Sequence, residues 1–265
     1  MIGIGTSIVF DVGDDAASRR ERRAVLQTLF DGGGRLIDTA PSYGSAESVV
    51  GDLLAEMGAR PRTFLATKVR ATDRASAQAE MQQSLRRLRS DKVDLMQLHN
   101  VGNSEREAAA QIAQLREWKQ TGICRYFGIT HYVDDAHERL IELMRREKPD
   151  FIQVNYSLAD RSVEQRLLAA ARDSGTAVLI NLPFGRGKLF SAVRGKELPA
   201  WAAEFDAASW GQFFLKYILA HDAVTCVIPG TDKPGYMIDN LQAGHGRLPD
   251  AALRKRMVEF FAALS

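Results

Sequence analysis

Four polar residues stand at or just beyond the ends of apolar runs of the chain: Asp38, Tyr43, Lys68 and His99. A carboxylate, a phenol, an ammonium and an imidazole can together move a proton and adjust one another's pKa. The carboxyl ends of parallel strands gather at one face of an α/β protein, where ligands bind. The sequence therefore predicts a cleft in which these four side chains meet to transfer a proton.

Lys68 is the member of this set that is hardest to explain as surface decoration, because it ends the apolar run Phe64-Leu-Ala-Thr-Lys68. A buried ammonium needs a carboxylate, which Asp38 on a neighbouring strand can supply. If Lys68 approaches Tyr43, we expect it to lower the phenol's pKa from about 10, which suits a general acid. Taken alone, Tyr43 could lie on the surface and His99 could be a core histidine.

The composition excludes several classes of function. The chain has 265 residues, of which 45% are hydrophobic, and a net charge of +2, so no strong field favours nucleic acid or a membrane surface. No apolar run approaches the roughly 20 residues that span a bilayer. Cys124 and Cys226 form neither a metal spacing nor a disulfide framework, and we expect buried thiols, no metal and a cytoplasmic protein. Export with a removed leader stays open.

Strand-like and helix-like segments alternate along the whole chain. This pattern predicts one (β/α)₈ barrel over residues 1–265 with an extra helix at its C-terminal end. A doubly wound open sheet is the alternative. The segment 182–204, rich in Gly, Pro and Phe, is expected to be a functional loop. Predicted strands cover 2–6, 35–39, 64–69, 93–98, 124–129, 151–155, 176–181 and 224–229; predicted helices cover 18–31, 45–57, 75–89, 105–120, 134–147, 163–173, 205–220, 235–243 and 249–263.

The order and spacing of several short motifs resemble the aldo-keto reductase family. The resemblance runs from Gly3 to Gly230 and continues to Asn240. It implies the same barrel, although the hairpin that usually plugs the N-terminal face is expected to be absent. The motifs are Gly3-Ile-Gly5-Thr6, Ile37-Asp38-Thr39-Ala40 with Tyr43-Gly44 and Glu47, Thr67-Lys68, Leu98-His99-Asn100, Phe127-Gly128-Ile129-Thr130, Ile152-Gln153-Val154-Asn155-Tyr156 and Ile228-Pro229-Gly230.

The resemblance implies a nicotinamide-dependent reductase of aldehydes or ketones. Tyr43 would donate the proton to the carbonyl oxygen, and Lys68, held by Asp38, would lower the pKa of Tyr43. His99 would orient the carbonyl, and Phe10, Phe184, Tyr43 and His99 would line the substrate pocket. The residues implied for cofactor binding are Thr6, Asp38, Thr130, His131, Gln153, Phe184, Gly185, Lys188, Gly230, Thr231, Lys233, Asp239 and Asn240.

The chain departs from the family pattern at positions that concern the cofactor. Thr130-His131 stands where Ser-Asn is usual, and Asn181 replaces an aromatic residue that often stacks on the nicotinamide. Lys233 is the one basic residue left to meet a 2′-phosphate. NADPH is therefore the expected cofactor, and NADH stays open.

Three functions are compatible with these residues. The first is the reductase, acting on a small carbonyl compound as a monomer or weak dimer. The second is a catalytically idle nicotinamide sensor or partner subunit on the same barrel. The third is a Schiff-base enzyme, because Lys68 ends a barrel strand as aldolase-type lysines do.

Overall fold

The computed structural model describes residues 1–102 and 104–264, in which eight parallel strands follow one another around a barrel in chain order. The strands are β1 (Ile4–Gly5), β2 (Leu36–Asp38), β3 (Phe64–Val69), β4 (Val93–Leu98), β5 (Cys124–Thr130), β6 (Phe151–Asn155), β7 (Ala177–Asn181) and β8 (Val224–Val227). A bridge between Ile2 and Val227 joins the last strand to the first, and the Gly3 N–H donates to the Val227 carbonyl at 2.9 Å. The predicted (β/α)₈ barrel is confirmed.

Helices connect the strands, and two helices of the described chain follow the last strand, the second of which is the extra C-terminal helix that was predicted. They are α1 (Ala16–Asp31), α2 (Ala46–Glu56), α3 (Arg74–Arg87), α4 (Glu105–Gln120), α5 (His137–Glu147), α6 (Leu167–Asp173), α7 (Lys188–Ala192), α8 (Trp210–Leu219), α9 (Pro234–Gln242) and α10 (Ala251–Ala262). The helix expected over 205–220 begins later than predicted. Asp206 adopts a left-handed φ of 55° there, and α8 starts only after Ser209, whose hydroxyl accepts from the Gln212 N–H at 3.0 Å.

The strands are apolar on both faces because each face is covered, which is the usual condition of parallel strands. A small cluster fills the barrel interior, and a larger one lies between the sheet and the surrounding helices. The interior cluster consists of Leu36, Ala66, Leu95, Leu179, Cys226 and Ile228. At the N-terminal face, the rings of Phe64, Tyr126 and Phe151 pack with centroids 5.5–6.0 Å apart. The polar residues of the site are therefore confined to the opposite end.

Two expectations drawn from composition can be compared with the structure. Within residues 1–102 and 104–264, no helix is long and apolar enough to cross a membrane. Cys124 and Cys226 are both buried and unpaired with each other, and burial raises the pKa of each thiol to about 12.

The packing of α2 on α3 fixes the loop that carries Tyr43, because α2 begins three residues after it. Gly51 lies at the contact between the two helices. A Cβ at this position would lie 2.2 Å from the carbonyl oxygen of Arg87 and 2.7 Å from the backbone of Leu88. Neighbouring backbone, unlike a flexible side chain, cannot move aside locally.

We therefore expect Gly51→Ala to lower the free energy of unfolding by about 1–3 kcal/mol, even though alanine favours helix by about 1 kcal/mol. Urea unfolding followed by circular dichroism measures this change. Gly235→Ala is the matched control, because Gly235 lies in α9 and its added Cβ would have no neighbour within 4 Å. Equal stability of the two variants would show that the α2–α3 contact can relax.

Candidate active site

An ion pair buried at the mouth of the barrel joins β2 to β3. The Lys68 ammonium donates to Asp38 Oδ2 at 2.6 Å and to the Thr39 carbonyl at 2.9 Å. The side chains of Lys68 and Asp38 are 1% and 3% exposed. An ammonium removed from water to this degree requires such a partner, and the two strand ends supply it as expected.

The second oxygen of Asp38 is held by two amides from more distant strands. Gln97 on β4 donates its Nε2 to Asp38 Oδ1 at 3.0 Å, and Gln153 on β6 donates to the same oxygen at 2.8 Å. Sequence reasoning did not identify Gln97. Its signal was the period of two along a strand, which places Gln97 on the same side as His99. Asp38 thus accepts bonds from β3, β4 and β6.

Tyr43 is positioned by a tight turn between β2 and α2. Its N–H donates to the Ala40 carbonyl at 3.1 Å, and its own carbonyl accepts from the Ala46 N–H at 3.0 Å. Gly44 has a φ of 57°, and any Cβ there would meet the Asp11 carboxylate at 2.2 Å. Glycine is therefore favoured beside Tyr43 by its positive φ, and a larger residue would also require the Asp11 side chain to move.

Tyr43, Lys68 and His99 converge as the sequence predicts. The Lys68 nitrogen lies 5.0 Å from the centroid of the Tyr43 ring. The Tyr43 and His99 rings meet edge to face with centroids 5.9 Å apart. Phenol and imidazole therefore share one wall of the cleft, with the ammonium behind the phenol.

The pKa of Tyr43 corrects one expectation. Burial of the phenol raises its pKa above 10, and the charge of Asp38 raises it further, while Lys68 lowers it through its charge and its approach to the hydroxyl. The net direction is upward, although Lys68 was expected to bring the pKa down. Sequence reasoning counted the cation but not the desolvation and the carboxylate that accompany it.

His99 is held in its neutral form. Burial, and then the positive charges of Lys68 and Arg70, lower its pKa to about 3. Its Nδ1 is buried and has no hydrogen-bond partner within residues 1–102 and 104–264. A bare acceptor tolerates that position better than an N–H donor, so we place the ring proton on Nε2, the nitrogen left for a ligand in the cleft.

These side chains border a cleft of about 700 Å³ at the carboxyl ends of the strands. It brings together many of the residues that the resemblance implied: Thr6, Asp38, Tyr43, His99, Thr130, His131, Gln153, Phe184 and Gly230. Thr6 also donates its hydroxyl to the Asp38 carbonyl at 3.0 Å, and Thr130 Oγ1 accepts from the Asn100 N–H at 3.1 Å. Both hydroxyls are therefore already hydrogen-bonded to backbone groups of the site.

Backbone strain is concentrated around the cleft. Seven of the described non-glycine residues have positive φ, and four of these line the cleft: Ile8, Asn100, Leu182 and Arg186. A β-branched residue such as Ile8 rarely adopts a φ of 67°. Strain of this kind persists where the surrounding structure fixes a functional loop.

The segment 182–204 borders the cleft only with its first residues. Phe184 lines the cleft and packs on Phe190 at 4.8 Å between ring centroids. Gly185 and Lys188 do not line it, and their N–H groups bond within the loop, to the Leu182 and Gly185 carbonyls respectively. Arg186 lines the cleft instead, so it is the basic residue of this loop nearest to a ligand.

Residues expected around a 2′-phosphate and an adenine lie outside the cleft and have partners of their own. Lys233 pairs with Glu21 at 2.8 Å, and Thr231 accepts from the Lys233 N–H at 3.2 Å. Asp239 accepts from Ser209 and Gln212, both at 2.7 Å. Asn240 is buried.

Phe10 is the one substrate-pocket residue that the structure places elsewhere. Its side chain is completely buried in the large core cluster and does not line the cleft, because the turn after β1 directs it inward. Ser7 and Ile8 of that turn are exposed and do line the cleft.

The deep wall of the cleft offers acceptors that the protein leaves free. Asn181 Oδ1 is buried and accepts no hydrogen bond from the part of the chain that the structure describes. Gln153 is oriented by the bond from its Nε2 to Asp38, so its Oε1 points away from that carboxylate. Buried acceptors without partners are uncommon in folded proteins and mark places where a ligand can donate hydrogen bonds.

Comparison with known proteins agrees with this geometry. The chain is 29% identical over 231 residues to methylglyoxal reductase YeaE of Escherichia coli, covering 85% of this chain and 79% of the relative. It is 30% identical over 209 residues to the NADH-specific methylglyoxal reductase of the same organism, covering 69% and 63%. A solved aldo/keto reductase from Klebsiella pneumoniae, in complex with NADP and acetate, superimposes with a TM-score of 0.81 at 24% identity, over 98% of this chain and 90% of that one.

The description of the matching family model is "Aldo/keto reductase family", and the match extends over residues 1–255. Barrel, cleft and family match agree: this chain belongs to the aldo/keto reductase family.

Proposed function

We propose that the protein reduces an aldehyde or ketone to an alcohol with a nicotinamide cofactor, and that Tyr43 is the general acid. The observation that carries the proposal is a buried ion pair beside the Tyr43 ring. The Lys68 nitrogen lies 2.6 Å from Asp38 Oδ2 and 5.0 Å from the centroid of the Tyr43 ring. A structural role alone gives no reason to keep a desolvated ion pair at the mouth of a barrel next to a phenol.

Tyr43 holds the proton that the carbonyl oxygen receives. Its raised pKa keeps the phenol protonated at neutral pH, so the acid is ready before the substrate binds. When the proton leaves, the negative charge forms on the Tyr43 oxygen beside the Lys68 ammonium. Asp38 keeps that ammonium in place and charged, because burial alone would lower the pKa of Lys68 whereas Asp38 and Tyr43 raise it.

His99 orients the substrate carbonyl. Because its ring is neutral, Nε2–H can donate to the carbonyl oxygen without supplying a second acid. Tyr43 and His99 would then bond to the same oxygen from adjacent sides of the cleft. Two donors aimed at one oxygen stabilise the charge that develops on it in the transition state.

The residues of the deep wall fit a nicotinamide. Its carboxamide carries an N–H₂ group, which could donate to Asn181 Oδ1, an acceptor without a partner among the described residues, and to Gln153 Oε1. Thr130, His131 and Arg186, which also line the cleft, would contact the rest of the cofactor, and a bound nicotinamide would supply the hydride. We propose NADPH as the cofactor, with Lys233 as the cation that meets its 2′-phosphate. NADH should substitute for it, because Lys233 is already paired with Glu21 and therefore favours the 2′-phosphate only weakly.

The Schiff-base alternative is disfavoured by the same ion pair. A lysine nucleophile must be deprotonated, but Asp38 and Tyr43 raise the pKa of Lys68 and keep it charged. For the idle sensor, we find no observation that favours it over a reductase among the described residues.

Tyr43→Phe should reduce turnover by about 10²–10⁴ because it removes the proton donor, while cofactor affinity changes little. Steady-state kinetics with a reactive aldehyde and fluorescence titration of the cofactor measure the two effects. Tyr126→Phe makes the same chemical change at the opposite face of the barrel and serves as the control. Near-normal turnover in Tyr43→Phe would overturn the assignment of the acid, and absence of turnover in every form, including the unmodified protein, would favour the sensor.

The two reaction directions should depend on pH in different ways. Reduction requires the phenol, which is protonated below its raised pKa, and a neutral His99, whose pKa is about 3. We expect kcat/KM for reduction to be flat between about pH 5 and 9, and kcat/KM for alcohol oxidation to rise about tenfold per pH unit toward alkaline pH, because oxidation requires the phenolate. An inflection near pH 6.5 in reduction, absent from His99→Gln, would contradict a neutral histidine of low pKa.

Gln153 and Gln97 provide a matched pair for the cofactor contact, because both donate to Asp38 Oδ1 but only Gln153 lines the cleft. We expect Gln153→Leu to raise the Kd of the reduced cofactor about tenfold, through the lost hydrogen bond to the carboxamide. Gln97→Leu should change this Kd by less than about twofold. Equal effects of the two substitutions would mean that Gln153 acts only through Asp38.

A further inference from the structure

The cleft wall formed by the ends of β3 and β4 carries a guanidinium that pairs with no carboxylate among the described residues. Arg70 lines the cleft together with Tyr43 and His99. Within the described residues its backbone N–H and carbonyl are bonded, to Glu80 and Gln111, but its guanidinium makes no hydrogen bond or ion pair. Hydrogen bonds therefore hold the Arg70 backbone in place, and the guanidinium can bind a ligand in the cleft.

The register of the sheet places this charge beside the reacting end of the site. Val69 pairs with Leu98, and the Val69 carbonyl accepts from the His99 N–H at 2.8 Å. Arg70 directly follows β3 and His99 directly follows β4, so the two residues lie side by side. Backbones of neighbouring strands are about 5 Å apart. A substrate whose carbonyl is held by His99 would extend within reach of the guanidinium.

The remaining charges of the cleft do not neutralise Arg70. Asp38 is the one carboxylate among the lining residues, and Lys68 pairs with it at 2.6 Å. His131 adds no negative charge, and burial lowers its pKa. Arg186 also lines the cleft, but it belongs to the loop after β7. Arg70 is therefore a cation of the cleft with no carboxylate partner among the lining residues, and it can attract an anion.

The same cleft also presents apolar surface, on the loops after other strands. Ile8 after β1 and Tyr132 after β5 line it and are 78% and 48% exposed. Leu182 contributes further apolar surface after β7. A ligand with an apolar body and one charged end matches this combination.

We propose that the substrate is a carbonyl compound that carries a carboxylate, which Arg70 binds while Tyr43 and His99 hold the carbonyl. The inference rests on the proposed reductase function and names its substrate class. A planar guanidinium matches a carboxylate through two parallel N–H···O bonds. A phosphate, with a charge of about −2, would more commonly recruit further cations, whereas Arg70 is single on this wall.

A pair of aldehydes that differ in charge but share the reacting group tests the assignment. We would measure kcat/KM for 4-carboxybenzaldehyde and for its methyl ester, using the whole protein with its reduced cofactor, at low and high salt. The ratio of acid to ester should fall about tenfold in Arg70→Met, and Arg70→Lys should keep part of it, since lysine retains charge without the fork. High salt should lower the ratio in the unmodified protein.

Two further variants make the test specific. Arg194→Met removes the same charge from an exposed position outside the cleft and should leave the ratio unchanged. Arg186→Met removes the other cation of the cleft. A ratio that falls in Arg186→Met but not in Arg70→Met would overturn the role of Arg70, as would equal ratios in the unmodified protein and Arg70→Met.

A binding measurement separates failure of this inference from failure of the reductase function. Calorimetry with 4-(hydroxymethyl)benzoate and its methyl ester, in the presence of oxidised cofactor, compares the same charges without turnover. Reduction of both aldehydes with no dependence on Arg70 would overturn the inference and leave the function standing. Arg70-dependent binding of the acid without any turnover would support the carboxylate site and count against the reductase.

Discussion

The site depends on one desolvated charge, the Lys68 ammonium at the end of β3. Removing an ion from water costs several kcal/mol even in real proteins, and the cost is recovered only with a close partner and satisfied donors. Asp38 at 2.6 Å and the Thr39 carbonyl at 2.9 Å meet that requirement. Because both come from the end of β2, the ammonium joins the two strands at the face where the cleft opens.

Asp38 extends this constraint around the barrel. Its second oxygen accepts from Gln97 and Gln153, so a single carboxylate connects β2 to β3, β4 and β6. Charge-assisted hydrogen bonds of this kind are about twice as strong as neutral ones, and in a low-dielectric interior they hold their donors in one orientation. The orientation of Gln153 toward the cleft is therefore a consequence of the same ion pair that supports Tyr43.

The barrel and the four central residues could be predicted from the sequence because both follow from local rules. Apolar runs mark buried strands, and a lysine at the end of such a run demands an acidic partner. The raised pKa of Tyr43 could not be predicted in this way, since it depends on the balance of burial, Asp38 and Lys68 in three dimensions. The same holds for Phe10 and Lys233: one turn directs Phe10 into the core, and Glu21, distant in sequence, pairs with Lys233.

Two residues that line the cleft hold buried polar atoms with no hydrogen-bond partner among the described residues. These atoms are His99 Nδ1 and Asn181 Oδ1, and each such atom costs about 1–3 kcal/mol. For His99 the cost accompanies a benefit, because a bare Nδ1 leaves the ring proton on Nε2, where it can reach a ligand. For Asn181 the free acceptor lies on the cleft wall, where a donor on a ligand can satisfy it. Strained residues such as Ile8 border the same cleft. The free acceptors of the site therefore lower the free energy of unfolding. The apolar core between the sheet and the surrounding helices offsets this loss.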